Sequence, residues 1–419
     1  MSVINPQLNL ETIPLEDVKI GMMIHQIGEQ AGKLVVKKKG RLKHKSVLEQ
    51  LSINGVRSVI VELPKTEDNV KPEAENHMPA YDLFEDEEEE SGIAAQQEQN
   101  LDKHDNKIAS GDLEIELEQA TVLLKQGFAI HKGYAADAKI GLNLDFSSAQ
   151  RMVGEMHDSL QKNSNALLCM STILQSHSYL AEHASRVSIL MCFVAQQLGM
   201  SQEDCKRLGL LGYLFDIGMV KVPKTIVQKS GSLGEDERKK VEEHVQHSLE
   251  LLAPLNLDSE MLLAIEQHHE RLHGKGYPNG FVGAKIQKFS RLLAIADCYT
   301  SLTSERPYRD AMSPAAAMKV LSNQANGYDQ KLVMKFIRCL GIYPVGSLVA
   351  LSNNRIALVT QSNSKKPNSP EVKVFYSITG KHYLPAQTIN LSTQHNSLKI
   401  SKPVLAKEFD LSLDRVVGL

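Results

Sequence analysis

The sequence predicts a mainly α protein: an all-helical bundle with a small α/β domain before it and a small β-rich module after it. Three observations carry that prediction. Apolar residues recur at helical spacing from Leu113 to Leu340, β-branched runs crowd the segment 8–64, and apolar–polar alternation begins after Gly341. The resulting boundaries are an N-terminal domain at 8–64, a linker at 65–112, a helical lead-in at 113–175, the bundle at 176–341 and the C-terminal module at 342–419.

In the N-terminal domain, Lys33–Lys37 and Val56–Val61 read as strands, and Lys45–Ile53 has helical spacing between them. A small domain of this kind suits protein interaction or homodimer formation. The linker holds the run Glu85-Asp-Glu-Glu-Glu-Glu90, whose like charges repel, and it has too little apolar surface to offset the entropy of ordering. It reads as a solvated, disordered tether. In the lead-in, Leu113, Ile115, Leu117, Val122 and Leu123 line one helical face, and Asp145-Phe-Ser147-Ser148 supplies an N-cap for Ala149–Lys162.

The bundle's helices follow in order. Leu180–Leu198 is amphipathic and stops at Gly199; Ser201–Phe215 starts from a Ser201 cap with Glu203 and Asp204 in its first turn. Glu235–Leu252 ends before Pro254, and Ser259–Glu270 ends in paired histidines. Lys288–Ser304, Pro314–Gln324 and Lys331–Leu340 complete the domain. Beyond it, Val345–Thr360 alternates around Asn353-Asn354 as a hairpin does, and Val372–Tyr376 reads as another strand.

Composition excludes several classes. With 47 basic and 50 acidic residues the charge is near balance, so no nucleic-acid polymer is expected as partner. Five cysteines without CxxC spacing suit a reducing compartment, and the start lacks a basic segment feeding an apolar run. The most apolar stretch, Val187–Met200, is too short to span a bilayer. A cytoplasmic protein without a membrane span is the expectation.

The chemistry concentrates in one run, His268-His-Glu-Arg-Leu-His-Gly-Lys-Gly-Tyr-Pro278. Neighbouring histidines at a helix end diverge by only about 100°, so both can reach one cation. Asp297 follows in an apolar helix, where an unpaired carboxylate is costly unless a cation or an arginine relieves it. Arg306 and Arg309 then offer planar donor forks. Paired imidazoles, a carboxylate and two guanidiniums suit a metal site that handles phosphate. Taken singly, His183 or His244 is more often an ordinary hydrogen-bonded residue than a ligand.

The segment from about Ser176 to Gly341 resembles the HD-GYP domain, a family of metal-dependent cyclic di-GMP phosphodiesterases within the HD superfamily. The matching pieces are His183-Ala-Ser-Arg186-Val, Asp216-Ile-Gly218, Val222-Pro223, His244, His268-His269-Glu270, Gly276-Tyr277-Pro278, Ile295-Ala-Asp297 and Arg306-Pro-Tyr-Arg309. The resemblance implies an HD-type bundle and a divalent transition metal, iron or manganese, as one or two ions. It implies Asp216 as the bridging ligand. His244, His268 and His269 would complete one site, and His183 and Asp297 would serve the other. Asp216, His244 and Asp297 would be catalytic; Arg306 and Arg309 would bind cyclic di-GMP, with Gly276, Tyr277 and Pro278 shaping the loop around it. His247 and His273 match no ligand position and read as exposed. One departure stands out: the family's His-Asp doublet is here Phe215-Asp216, and its Gly-Lys is Gly218-Met219. Phenylalanine cannot coordinate, and methionine removes a cation beside the phosphate. Three functions therefore stay open: a phosphodiesterase of reduced activity, a catalytically inactive cyclic di-GMP receptor, and a signalling scaffold.

Overall fold

A computed structural model describes residues 10–15, 18, 23–27, 40–41, 56–62, 110–142, 144–174, 176, 178–255, 257–306, 309–363, 365–393, 397–413 and 416. The chain divides into two compact units, Met1–Asp82 and Leu83–Leu419. In the first, β1 (Leu10–Pro14), β2 (Met23–Ile27), β3 (Gly40–Arg41) and β4 (Ser58–Glu62) form an antiparallel sheet in the order β1-β4-β2-β3. Val59 and Val61 point from β4 to one side, as the two-residue period demands, and bury against Val18 and Val56. The expected strand at Lys33–Lys37, the helix at Lys45–Ile53 and the acidic run at 85–90 lie outside the described residues.

The second unit opens with α1 (Ser110–Lys139) and α2 (Ser147–Ile173), followed by α3 (Tyr179–Gln197) and α4 (Gln202–Leu214). Short α5 (Lys224–Val227), α6 (Glu235–Glu242), α7 (His244–Leu252) and α8 (Ser259–Gln267) come next, then α9 (Lys288–Leu302), α10 (Pro314–Ser322) and α11 (Gln330–Leu340). Ser201 caps α4 by accepting from the Asp204 amide at 3.1 Å. Ahead of α2 the Asp145 carboxylate does the binding, accepting from the Ser147 amide and hydroxyl at 3.0 and 2.9 Å. The helix expected to end near Lys162 bends at Asn163 and runs on to Ile173.

α3 departs from its expected amphipathic pattern. Ala181, His183, Ser185, Val187, Ile189 and Met191 are all buried, so this helix is enclosed on every side and forms the centre of the bundle. The polar residues in its sequence serve other helices: the Ser188 hydroxyl donates to the Gly209 carbonyl on α4 at 2.8 Å. Gly212 lets the two backbones approach, since a Cβ there would stand 2.9 Å from the Val187 carbonyl oxygen. The expected single helix Glu235–Leu252 is broken at Glu243, and the expected helix to Glu270 stops at Gln267. Both interruptions fall at a histidine, for a reason given below.

The C-terminal strands β5 (Leu348–Leu351), β6 (Arg355–Gln361), β7 (Glu371–Ser377), β8 (His382–Asn390) and β9 (Ile400–Val404) make an antiparallel sheet in the order β8-β7-β6-β5-β9. Asn354 takes the left-handed conformation, φ 58°, that the β5–β6 hairpin requires. Leu348, Ile356, Leu358 and Phe375 join the core of the helices, so bundle and sheet share one interior. Gly346, at φ 86°, seats the sheet on α2: a Cβ there would lie 2.9 Å from Thr172.

Candidate metal centre

Four side chains converge from three segments. Asp216 follows α4 where the chain leaves the helix, His244 opens α7, and His268 and His269 follow α8. Gly218 brings the first two together. Its amide donates to the Ser248 hydroxyl at 2.9 Å, and a Cβ in its place would stand 2.1 Å from the His244 carbonyl oxygen. Only a residue without a side chain fits between this turn and α7.

The histidines are aimed by their own backbone. His244 Nδ1–H donates to the Val241 carbonyl at 2.6 Å, and His268 Nδ1–H donates to the Ile265 carbonyl at 2.6 Å. Each ring turns back onto the residue three before it and takes a carbonyl that the helix would otherwise use, which is why the helices break there. The same bond fixes the tautomer, leaving Nε2 with a lone pair facing the centre.

Those lone pairs face one another. His244 Nε2 lies 3.0 Å from Asp216 Oδ1, 3.4 Å from His268 Nε2 and 3.2 Å from His269 Nε2, and His268 Nε2 lies 3.9 Å from Asp216 Oδ1. Two unprotonated nitrogens cannot satisfy each other, and Asp216 Oδ1 has no aligned hydrogen bond although it is buried. Donors held about 2.1 Å from a single ion stand about 3.0 to 3.4 Å apart, close to what is observed. The residues therefore fit a divalent transition metal. Among the described residues these four donors form the group that could hold one, all within 4.8 Å of each other.

The electrostatics agree. Burial lowers His268 to about 4, aided by the charge on His244, and burial with the same neighbours holds His269 well below the ordinary imidazole range. For His244 burial also pulls down, but the nearby Asp216 charge, 3.0 Å away, outweighs it and the net shift is upward. Burial pushes Asp216 upward too, and His244 and His268 more than reverse it, leaving the carboxyl below its usual range.

His183 and Asp297 stand apart as a pair, with Nε2 to Oδ1 at 2.9 Å. His183 Nδ1 is buried without a hydrogen bond. Between this pair and the four-donor group lies Phe215, fully buried, its ring centroid 4.9 Å from that of His268 and 6.0 Å from that of His183. The apolar ring thus occupies the ground between the two halves.

The loop after His269 is built on Glu270, whose role was not legible. Its buried carboxylate accepts the Asn279 and Phe281 amides at 2.7 and 3.0 Å. Gly276 packs against Glu270 Cα, where a Cβ would come within 2.5 Å, so close approach demands glycine there; positive φ is needed at Gly274. Tyr277, joined to Pro278 by a cis peptide, stacks on His269 at 4.5 Å. Arg306 and Arg309 close a tight hairpin through reciprocal backbone bonds of 2.9 and 3.1 Å. Arg309 donates to the Ser301 carbonyl, and Arg306 donates to the Tyr179 hydroxyl. His273 is exposed as expected, but His247 is only 28% exposed because it packs along α7 and lies 3.6 Å from Glu250.

Comparison with known proteins places the domains. The HD domain family matches residues 168–332, a domain of unknown function (DUF3391) matches 10–149, and a KOW domain associated with HD domain matches 348–412. The chain is 32% identical to cyclic di-GMP phosphodiesterase PA4108 of Pseudomonas aeruginosa, covering 67% of this chain and 68% of that protein. It is 34% identical to 3'3'-cGAMP-specific phosphodiesterase 1 of Vibrio cholerae over 38% of this chain and 37% of the relative. It is 30% identical to the cyclic di-GMP phosphodiesterase response regulator RpfG of Xanthomonas campestris over 46% and 52%.

Proposed function

The chain belongs to the HD-GYP family of cyclic di-GMP phosphodiesterases, and we propose that it hydrolyses a phosphodiester bond of cyclic di-GMP at the centre formed by Asp216, His244, His268 and His269. The observation that carries this reading is the convergence of three imidazole lone pairs and a carboxylate on one buried point. We assign these four residues to one iron or manganese ion, with His183 and Asp297 as the depleted second half. Held by these residues, such an ion would supply Lewis-acid chemistry, making water a better nucleophile near neutral pH and offsetting charge on the phosphoryl oxygens.

The chain's own residues supply the rest. The Val241 and Ile265 carbonyls hold the His244 and His268 rings in the tautomer that presents Nε2. Tyr277 and Phe215 wall the centre with aromatic surface that limits water around it. Arg306 and Arg309, fixed by their hairpin, present donor forks for the non-bridging phosphate oxygens or a guanine edge. Asp297 keeps His183 oriented. A cytoplasmic location belongs to the same reading. So does an interaction or dimerisation role for the N-terminal domain.

Phe215 and Met219 favour a second reading, a cyclic di-GMP receptor without turnover. Incubating the purified protein with cyclic di-GMP and manganese or ferrous iron, then separating products, decides between them. Linear dinucleotide or mononucleotide supports the enzyme. Tight binding with no product supports the receptor, and no binding removes both. 3'3'-cGAMP is the control that tests nucleotide preference.

A further inference from the structure

One side chain ties the depleted half of the centre to the phosphate-binding hairpin. Tyr179 opens α3 four residues before His183, so both rings stand on one face of the helix. They stack with centroids 5.4 Å apart and planes inclined by 17°. Arg306 crosses from the hairpin to place its guanidinium carbon 4.5 Å from the Tyr179 ring centroid, and its Nη2 donates to the Tyr179 hydroxyl. His183 in turn bonds Asp297. Arg306, Tyr179, His183 and Asp297 form one continuous line from the hairpin to the Asp297 carboxylate.

Such a line changes what binding costs. A loose arginine surrenders most of its rotamer freedom when it grips a phosphate. An arginine already laid against a tyrosine has surrendered it beforehand. The tyrosine leaves Arg306 charged, since both the ring face and the hydroxyl are neutral partners. Tyr179 donates nothing to the metal group, because that role falls to Asp216 and the three histidines.

We propose that Tyr179 is a positioning residue: it holds Arg306 in place for the substrate phosphate and couples that arginine to the His183–Asp297 pair. This rests on the cyclic di-GMP reading for its ligand, though not for the arrangement in the free protein.

Two measurements test it. In calorimetry on the metal-loaded protein, Tyr179→Ala weakens cyclic di-GMP binding on the order of tenfold, because the released arginine must again surrender its rotamer freedom to grip the phosphate. Tyr179→Phe recovers part of the loss because its ring remains. Tyr179→Ala with Arg306→Ala binds no more weakly than Arg306→Ala alone, since one interaction cannot be lost twice. If turnover is measured, KM rises while kcat holds. Additive losses in the double variant, or a fall in metal content in Tyr179→Ala, overturn the proposal. The second measurement needs no ligand. The Arg306 side-chain N–H resonance, assigned by its disappearance in Arg306→Lys, is displaced by the tyrosine ring current and moves to the position of a free arginine in Tyr179→Ala. An unmoved resonance overturns the proposal. A resonance that moves in a protein that fails to bind cyclic di-GMP keeps Tyr179 in its role and refutes the function proposed above.

Discussion

Replacing Gly218 with alanine should separate Asp216 from His244 and empty the metal centre. The added Cβ would stand 2.1 Å from the His244 carbonyl oxygen, 2.4 Å from the Ser248 amide nitrogen and 2.8 Å from its hydroxyl, whereas real Cβ atoms essentially never come within 3.0 Å of a neighbour. Two of those atoms are backbone and cannot swing aside, so the turn carrying Asp216 must retreat from α7 by about 1 Å. Overpacking of this kind costs about 1–3 kcal/mol, and losing the Gly218–Ser248 hydrogen bond adds about 1 kcal/mol. A retreat of that size is half a metal–ligand bond of about 2 Å, so metal affinity should fall at least tenfold. Thermal unfolding and elemental analysis of the same preparations measure both effects. Gly133→Ala, on α1 with nothing within 4 Å of the new atom, is the control and should be neutral or slightly stabilising. A Gly218→Ala protein with full metal content and unchanged unfolding would refute the claim that this contact sets the geometry of the centre.

Other outcomes follow from the same geometry. Phe215→His with Met219→Lys should raise phosphodiesterase activity and add a second metal, because the ring at 215 faces both His268 and His183; a gained metal without faster hydrolysis would show that these two positions do not limit catalysis. Glu270→Gln leaves one of two loop amides facing an amide donor in place of an acceptor and should cost about 1–3 kcal/mol in thermal unfolding; unchanged unfolding would contradict the anchoring role. Metal uptake should displace protons from His244, which Asp216 holds upward, and not from His268 and His269, which burial holds downward. Affinity then tightens as pH rises through the elevated His244 value, seen by calorimetry in buffers of different ionisation enthalpy; uptake without proton release would contradict it. In the metal-free fold the raised His244 contributes stability below the ordinary imidazole value and loses it as pH rises. His268 does the reverse, losing stability as pH falls from about 6.5 towards 4.

The helices around the site were legible because their signals are local. Ser201 caps α4 as its position before Glu203 and Asp204 predicts, and Gly199 ends α3 with φ 74°. What was not legible depends on atoms distant in sequence. The breaks at Glu243 and after Gln267 arise from imidazole rings turning onto Val241 and Ile265, a choice made only because Asp216 waits on the other side. Glu270 belonged to the matching His268-His269-Glu270 run without its anchoring role being legible, and Tyr179 offered no pattern: one is defined by amides nine and eleven residues on, the other by an arginine 127 residues away. Strands β8 and β9 escaped for a different reason. Each lies at an edge of its sheet and carries a proline, Pro385 and Pro403, and β8 is largely exposed, so neither alternates as a half-buried strand does. His247 misled because its exposure is decided by packing along α7.

The central claim is that one metal sits on Asp216, His244, His268 and His269 while Phe215 keeps a second from its partner place. Elemental analysis of anaerobically purified protein, with X-ray absorption at the edge of whichever metal is found, tests it most directly. The account predicts one equivalent of iron or manganese with three imidazole nitrogens in its first coordination sphere, and a sharp fall in content in His268→Ala. Two full equivalents, or a His268→Ala protein that keeps its metal, would contradict it.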